Sequence, residues 1–388
     1  MTDSPRRRNN RLVRAQNIKR LLLLVRDQEP VTLDTLVQQS SLSYPTVLGI
    51  IKQLEESSLV EKVAYAPPTG GRQAVLYGIS RVARYVLGVH VNRKSVSISI
   101  TNIRGGKIFQ TTEHLNAGWK DGMKAADEVL SLLDSVLLKT RVNKENFVRI
   151  GIAHPEALPE TAQKLRTAFQ GYFTQTIRTI PDRIVLNHLE RQGYHISSLL
   201  TYIFVWFDDE LSLSRYPGPA GPLLQFSPRT YFSHFTVIAD GMACSCGRAG
   251  CLHSYIGGEG LLNAYQQAGG TMEFPNQRTN LFHLMLSESH KGDPAATQAV
   301  NQAVRMLAVA LANVIKIEGV ATIVLSGLFN STDLLFKREL EQYITSFLPP
   351  EYPQKPQIIL GTAKASDCAY ATSLLLNQDY FERLNFDK

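Results

Sequence analysis

Cys244-Ser245-Cys246-Gly247-Arg248-Ala249-Gly250-Cys251-Leu252, with His234 upstream of it, is the stretch on which the reading of this chain turns. It offers three soft thiolates and an imidazole, the ligand set of a four-coordinate structural Zn²⁺. The chain has four cysteines in 388 residues, and Cys368 is the one left over. Such clustering points to a shared ligand rather than to scattered core cysteines. The competing reading is a disulfide plus a free thiol. Cysteines one residue apart suit disulfide geometry poorly, so a metal held by His234, Cys244, Cys246 and Cys251 is the expectation.

Hydrophobic residues make up 44% of the chain, and its length allows two or three domains with sizeable cores. No run approaches about 18 consecutive apolar residues, and Met1-Thr-Asp-Ser-Pro-Arg-Arg-Arg lacks the apolar region of a signal peptide. A cytoplasmic chain without membrane insertion is expected, in a compartment that keeps thiols reduced. The net charge is +7, and Met1 to Arg26 holds eight basic residues (Arg6, Arg7, Arg8, Arg11, Arg14, Lys19, Arg20, Arg26) against Asp3 alone. A basic, disordered arm over residues 1–10 ahead of a near-neutral body points to a polyanion partner. Taken alone, such an arm also fits a merely solubilising tail.

Behind the arm, apolar residues recur at helical spacing in Ile18, Leu21, Leu22, Val25, then Leu33, Leu36, Val37, then Val47, Ile50, Ile51, Leu54. Three amphipathic helices follow, with Thr32 placed to cap the second and Ser43 the third. The connection Ser40-Ser41-Leu42 leaves room only for a tight turn, which makes a helix-turn-helix. Two β-type runs, Leu59 to Val63 and Ala74 to Ile79, flank Pro67-Pro68-Thr69-Gly70-Gly71-Arg72 and make a hairpin wing. Residues 11–80 therefore read as a winged helix-turn-helix, mostly α with a β wing. In such a module the third helix enters the major groove, so Ser43, Tyr44, Pro45 and Thr46 are the expected base readers. Arg72 and Gln73 at the wing, with Arg6, Arg7 and Arg8, are expected against phosphate or a narrow minor groove. The bare alternative for a three-helix module is protein interaction.

Residues 81–388 change pattern. Strands at Val86 to Val91, Val96 to Thr101 and Lys107 to Thr111 precede an α/β alternation, which reads as two lobes, about 81–200 and about 201–388. The winged module ending in Gly-Gly-Arg, the meander at 86 to 111 and the His234, Cys244-x-Cys246-Gly-x-x-Gly-Cys251-Leu252 pattern together resemble the ROK family (repressors, open reading frames, kinases), and most of all its transcriptional regulators. The resemblance spans the chain from about residue 11. It implies a two-lobed, actin-like, hexokinase-type α/β body, a structural zinc, a homodimer or homotetramer, and sugar-responsive binding to a palindromic operator.

Where the family's kinases carry an Asp-x-Gly-Gly-Thr phosphate loop, this chain has His90-Val91-Asn92-Arg93-Lys94, without either glycine. The kinases' catalytic base is the Asp of an Asn-Asp pair; here Asn187 is kept and His188 replaces the acid. Phe204-Val205-Trp206-Phe207-Asp208-Asp209 stands where a second glycine-rich phosphate segment is expected. Positioning and charge stabilisation carry phosphoryl transfer, so no catalysis is expected. The positions that hold sugar-binding carboxylates in the family are His188, Tyr231 and His253 here, beside retained Asn187 and His234. These five are the candidate effector residues, and fewer acids suit a sugar-derived or anionic effector better than a neutral hexose. A vestigial cleft without ligand is the alternative. His90, His114, His154, His195, His283 and His290 show no ligand-like spacing. The reading is a DNA-binding regulator of carbohydrate-related genes that acts as a repressor and is nucleoid-associated when bound. The alternatives are a ROK sugar kinase with an appended DNA-binding domain and a scaffold controlled by a regulatory protein partner.

Overall fold

The computed structural model describes residues 5–67, 73–81, 84–92, 95–115, 122–155, 158–193, 201–208, 210–216, 218, 231–272 and 280–384. Pro68, Thr69, Gly70, Gly71 and Arg72 of the expected wing tip, and Arg93, Lys94, His195 and Asp209, all singled out above, lie outside the described residues. Two compact units form: Met1–Asp182 together with Cys368–Lys388, and Arg183–Asp367. The division falls at Asp182/Arg183 rather than near residue 200, and the C-terminal segment returns to the first unit because its helix covers one face of that unit's sheet.

The first unit opens with α1 (Pro5–Gln28), which begins inside the segment expected to be a disordered arm. Arginine is a strong helix former, and proline at the first helical position lacks only an N–H that would be unpaired anyway. There follow β1 (Val31–Thr32), α2 (Leu33–Ser40), α3 (Tyr44–Glu56), β2 (Val60–Tyr65) and β3 (Val75–Ile79). Thr32 Oγ1 accepts the Thr35 N–H at 3.2 Å, the expected cap of α2. Ser43 makes no such cap bond to α3; its hydroxyl lies 2.8 Å from that of Thr46 instead. Ser41 makes the tight turn between α2 and α3 in the left-handed region, at φ 57°, and its N–H donates to Val37 O at 3.1 Å. A non-glycine residue there costs on the order of 1 kcal/mol.

The apolar spacings read from the sequence meet in one core, in which Ile18, Leu21, Leu22 and Val25 of α1 join Leu36 of α2 and Val47, Ile50, Ile51 and Leu54 of α3. β2 pairs antiparallel with β3, and the short β1 lies along the other side of β3. Mid-helix Gly49 has nothing within 4 Å of where a Cβ would stand. Glycine there weakens α3 by about 1 kcal/mol relative to alanine.

A five-stranded sheet comes next, from β4 (Tyr85–Val91), β5 (Ser95–Asn102), β6 (Lys107–His114), β7 (Phe147–His154) and β8 (Ile177–Pro181), in the order β6-β5-β4-β7-β8. The first three form the expected antiparallel meander, while β7 and β8 run parallel to β4. Helices α4 (Gly122–Thr140) and α5 (Pro159–Tyr172) bring Val129, Leu133, Leu165 and Phe169 to a core with Leu87, Val89, Ile98, Ile150 and Ile152.

The second unit contains α6 (Asp182–Gly193) from its second residue on, then β9 (Tyr202–Phe207), β10 (Leu211–Tyr216), α7 (His253–Ile256), α8 (Gly258–Gln267), α9 (Leu281–His290), α10 (Pro294–Glu318), β11 (Thr322–Gly327), α11 (Leu334–Phe347) and β12 (Gln357–Leu360). Its sheet runs β10-β9-β11-β12, with β9, β11 and β12 parallel and β10 turned back on β9. By length and composition α10 alone among the described helices is apolar enough to cross a membrane, yet Ala296, Ala303, Leu307, Leu311 and Ile315 bury it in this unit's core. Asp293 caps its start, and Gly319 ends it in the left-handed region.

The last helix, α12 (Cys368–Glu382), lies on the face of the first unit's sheet opposite α4 and α5. A Cβ on Gly88 would stand 2.0 Å from Ala369 O, so the absent side chain is what admits the helix. At its far end Tyr380 and Phe381, together with Ile103, complete the core of the N-terminal module. Arg84 donates to Ser57 O at 2.8 Å and to the Tyr380 hydroxyl at 3.4 Å. The N-terminal module is therefore packed and hydrogen-bonded onto the sheet that follows it.

Candidate functional site

Burial of Val47, Ile50, Ile51 and Leu54 fixes which side of α3 faces inward, and so leaves Tyr44, Pro45, Thr46 and Gly49 exposed. Pro45 stands in the first turn, where its missing N–H is harmless, and Tyr44 is 47% exposed, unusual for so large a side chain without a partner surface. The Ser43 and Thr46 hydroxyls are paired beside it. Arg14 of α1 donates through Nη2 to Gln53 Oε1 of α3 at 3.1 Å, across a groove whose walls include Asn17 and Gly49. Gln73, two residues before β3, is exposed. Arg6, Arg7 and Arg8 belong to the first turns of α1. In the sequence Arg14 counts only towards the basic charge and Asn17 carries no signal; the bond from Arg14 to Gln53 and the place of Asn17 in the groove are tertiary facts with no local pattern.

His234, Cys244, Cys246 and Cys251 do converge. Their ligand atoms all lie within 4.8 Å of one another, with His234 Nδ1 3.5 Å from Cys244 Sγ and Cys246 Sγ 3.7 Å from Cys251 Sγ. Two sulfurs each ~2.3 Å from a tetrahedral metal are about 3.8 Å apart, whereas a disulfide needs about 2 Å, so the spacing fits Zn²⁺. His234 ends a single 3-10 turn, Phe232–His234, and an isolated bridge between Thr236 and Cys251 draws the two ends of the loop together. Burial opposes ionisation of Cys244, but hydrogen bonds from the Cys246 backbone, Ser254 and His234 hold its thiol down to about 6. Burial and the neighbouring thiols push Cys251 up to about 12. One thiolate thus suppresses the next, and a divalent cation is the partner that lets all three ionise.

The candidate effector residues fall into two groups within the second unit. His234 and His253 have ring centroids 5.9 Å apart, while Tyr231, just before the same 3-10 turn, is exposed. Asn187 and His188 are buried on α6. Asn187 Oδ1 accepts the Tyr202 hydroxyl at 2.5 Å, and its Nδ2 has no partner among the described residues. His188 Nε2 lies 2.9 Å from the Gln192 side-chain nitrogen. Burial, reinforced by the charge of Arg191, pushes His188 down to about 4, so this imidazole is neutral near pH 7. It adds no positive charge to the site.

Glu190, unflagged by any motif, is 1% exposed, and its Oε1 accepts the Ser326 hydroxyl at 2.5 Å and the N–H groups of Thr362 and Ala363 at 2.9 and 2.8 Å. Those partners stand at the C-terminal ends of β11 and β12, the edge where open α/β sheets hold ligands. Amides that suit an incoming anion are already bonded to a carboxylate there. In the first unit Asn92 Oδ1 accepts the Ser95 N–H at 2.8 Å and closes the turn that stands in place of a phosphate loop. His90 Nε2 lies 3.8 Å from Asp182 Oδ2, and both residues are buried.

Comparison with known proteins agrees with this architecture. Residues 229–375, which include the His/Cys₃ cluster, match the model of the ROK family. It is similar to the xylose repressor of Bacillus spizizenii, 22% identical over 273 residues that span 66% of this chain and 69% of that one. Among solved structures it resembles a ROK-family transcriptional regulator, a homologue of the E. coli MLC protein, with a TM-score of 0.77, 16% identity and coverage of 95% and 97% of the two chains. A ROK hexokinase from Thermus thermophilus matches with a TM-score of 0.59 and 16% identity, covering 97% of that chain but 75% of this one. The body thus has the ROK actin-like α/β fold.

Proposed function

We propose that this protein is a DNA-binding transcriptional regulator, a cytoplasmic repressor of carbohydrate-related genes. The observation that carries the reading is the exposed first turn of α3, offered to solvent by a winged helix-turn-helix fixed to a ROK-type body. The repressor name of the Bacillus relative and the near full-length likeness to a ROK regulator support it. In this reading Ser43, Tyr44, Pro45 and Thr46 meet base edges, and Gln73, Arg72 and the arginines at 6 to 8 meet phosphate or the minor groove. A homodimer or homotetramer presents paired modules to a palindromic operator. His234, Cys244, Cys246 and Cys251 hold a structural Zn²⁺ that braces the loop leading to His253. The effector is sugar-derived or anionic and meets Asn187, His188, Tyr231, His234 and His253. Stabilisation of the protein by an unmodified hexose, and by no sugar phosphate or sugar acid, in a thermal-shift screen would sink the effector part.

The second reading, a sugar kinase with an appended DNA-binding domain, draws on the hexokinase-like fold. Replacement of the phosphate loop and of the catalytic acid, and the buried Glu190 carboxylate at the strand ends, speak against it. A coupled ADP-release assay with hexoses separates the two, and the regulator reading expects no turnover. Selection of duplexes from a random DNA pool by the full-length protein tests the main reading; recovery of a paired, inverted sequence supports it.

A further inference from the structure

α1 and α3 leave a groove between them, with Val13, Arg14 and Asn17 on one wall and Pro45, Thr46 and Gly49 on the other. Several of its features do not serve the fold. Gly49 has open space at its Cβ position and no positive φ, so neither packing nor turn geometry calls for glycine, and alanine would strengthen the helix. Arg14 Nη2 is bonded to Gln53 Oε1 one turn beyond Gly49, which anchors the guanidinium against α3 and engages one of its five donors. Among the described residues that line the groove there is no acid. The groove also opens on the N-terminal half of α3, where the helix dipole favours negative charge.

A narrow, repeating monoanion that must approach the helix backbone closely fits these features, and the sugar-phosphate strand of duplex DNA is such a chain. We propose that this groove seats one DNA backbone strand, with Arg14 as the phosphate clamp and Gly49 as the notch that lets the strand come against α3. Asn17 supplies an amide to the same strand from the opposite wall. The proposal rests on the reading of the module as a DNA binder. Because backbone is sequence-independent, the seat strengthens binding to all duplexes alike.

The test uses the full-length protein, a duplex recovered from a random pool by the wild type and a scrambled duplex of equal length, with anisotropy measured over a salt series. Gly49→Ala is expected to raise the Tm and to weaken binding to both duplexes about ten-fold; opposite signs are what a purely structural role does not produce. Arg14→Ala is expected to leave Tm unchanged, weaken both complexes in proportion and lower the slope of log K against log salt by about one per bound chain, with Arg14→Lys restoring most of it. Wild-type affinity in Gly49→Ala, an unchanged slope in Arg14→Ala, or a loss confined to the selected duplex overturns the seat while leaving the DNA-binding reading intact. Failure of the wild type to bind any duplex brings down both.

Discussion

Glu29 and Arg104 form an ion pair with Oε1 to Nε at 2.7 Å, between the residue that follows α1 and the turn that joins β5 to β6. The other carboxylate oxygen of Glu29 accepts the Ile79 N–H at 2.6 Å. One side chain thus ties the end of α1, β3 and the following sheet together. Its side chain is 15% exposed, so solvent screens the pair only in part. Arg104→Ala should destabilise the protein by about 1–2 kcal/mol, since the carboxylate keeps its amide partner but loses its charge partner. Urea denaturation measures this, and an unchanged midpoint would show the pair to be incidental.

Gly88 makes a sharper demand. A Cβ at that position would meet Ala369 O at 2.0 Å and Ser373 N at 2.8 Å, both backbone atoms that cannot swing aside. Gly88→Ala should cost about 3 kcal/mol by forcing α12 off the sheet. Because α12 ends in the core of the N-terminal module, the same change should loosen that module, seen as faster amide exchange in Leu21, Leu22 and Ile51.

Metal analysis checks the cysteine cluster. The purified protein should contain about one zinc per chain, and Cys251→Ser should lose it along with several degrees of Tm. Cys368→Ala, at a buried thiol outside the cluster, should keep the metal. Zinc retained in Cys251→Ser would rule out this ligand set.

His188 sets a pH dependence. Its folded value, about 4, lies below the ordinary 6.5, so the unfolded chain takes up a proton that the folded chain refuses. Stability is then fully present above pH 6.5 and falls as pH drops towards 4, by about 1.4 kcal/mol per unit and roughly 3 kcal/mol in all. His188→Gln should flatten that part of the stability profile, and an unaltered profile would mean that the imidazole is hydrated in solution.

Much of this architecture could be read from the sequence, and the rest depended on distance. The apolar spacing of α1 to α3 and the two β-type runs that become β2 and β3 are local signals, and the cysteine spacing carries its own geometry, so all three were legible, while the Gly-Gly-Arg tip between the two strands lies outside the described residues. Polar, arginine-rich residues at the start of α1 carry no apolar period, which is why an arm was expected where a helix forms. The role of α12 rests on contact between Gly88 and Ala369, and that of Glu190 on Ser326, Thr362 and Ala363, partners that no local pattern announces. His188 was recognisable as a replacement, but its neutrality follows from burial alone.

Anisotropy of a selected duplex with the wild type and with Tyr44→Ala and Thr46→Ala measures whether the first turn of α3 reads DNA. Both side chains are exposed and outside the core, so the variants should keep the wild-type Tm and lose about ten-fold or more in affinity for the selected sequence, and Tyr44→Ala, whose side chain does not line the backbone groove, should change little on scrambled DNA. Equal affinity of all three proteins for the selected and scrambled duplexes would contradict the account.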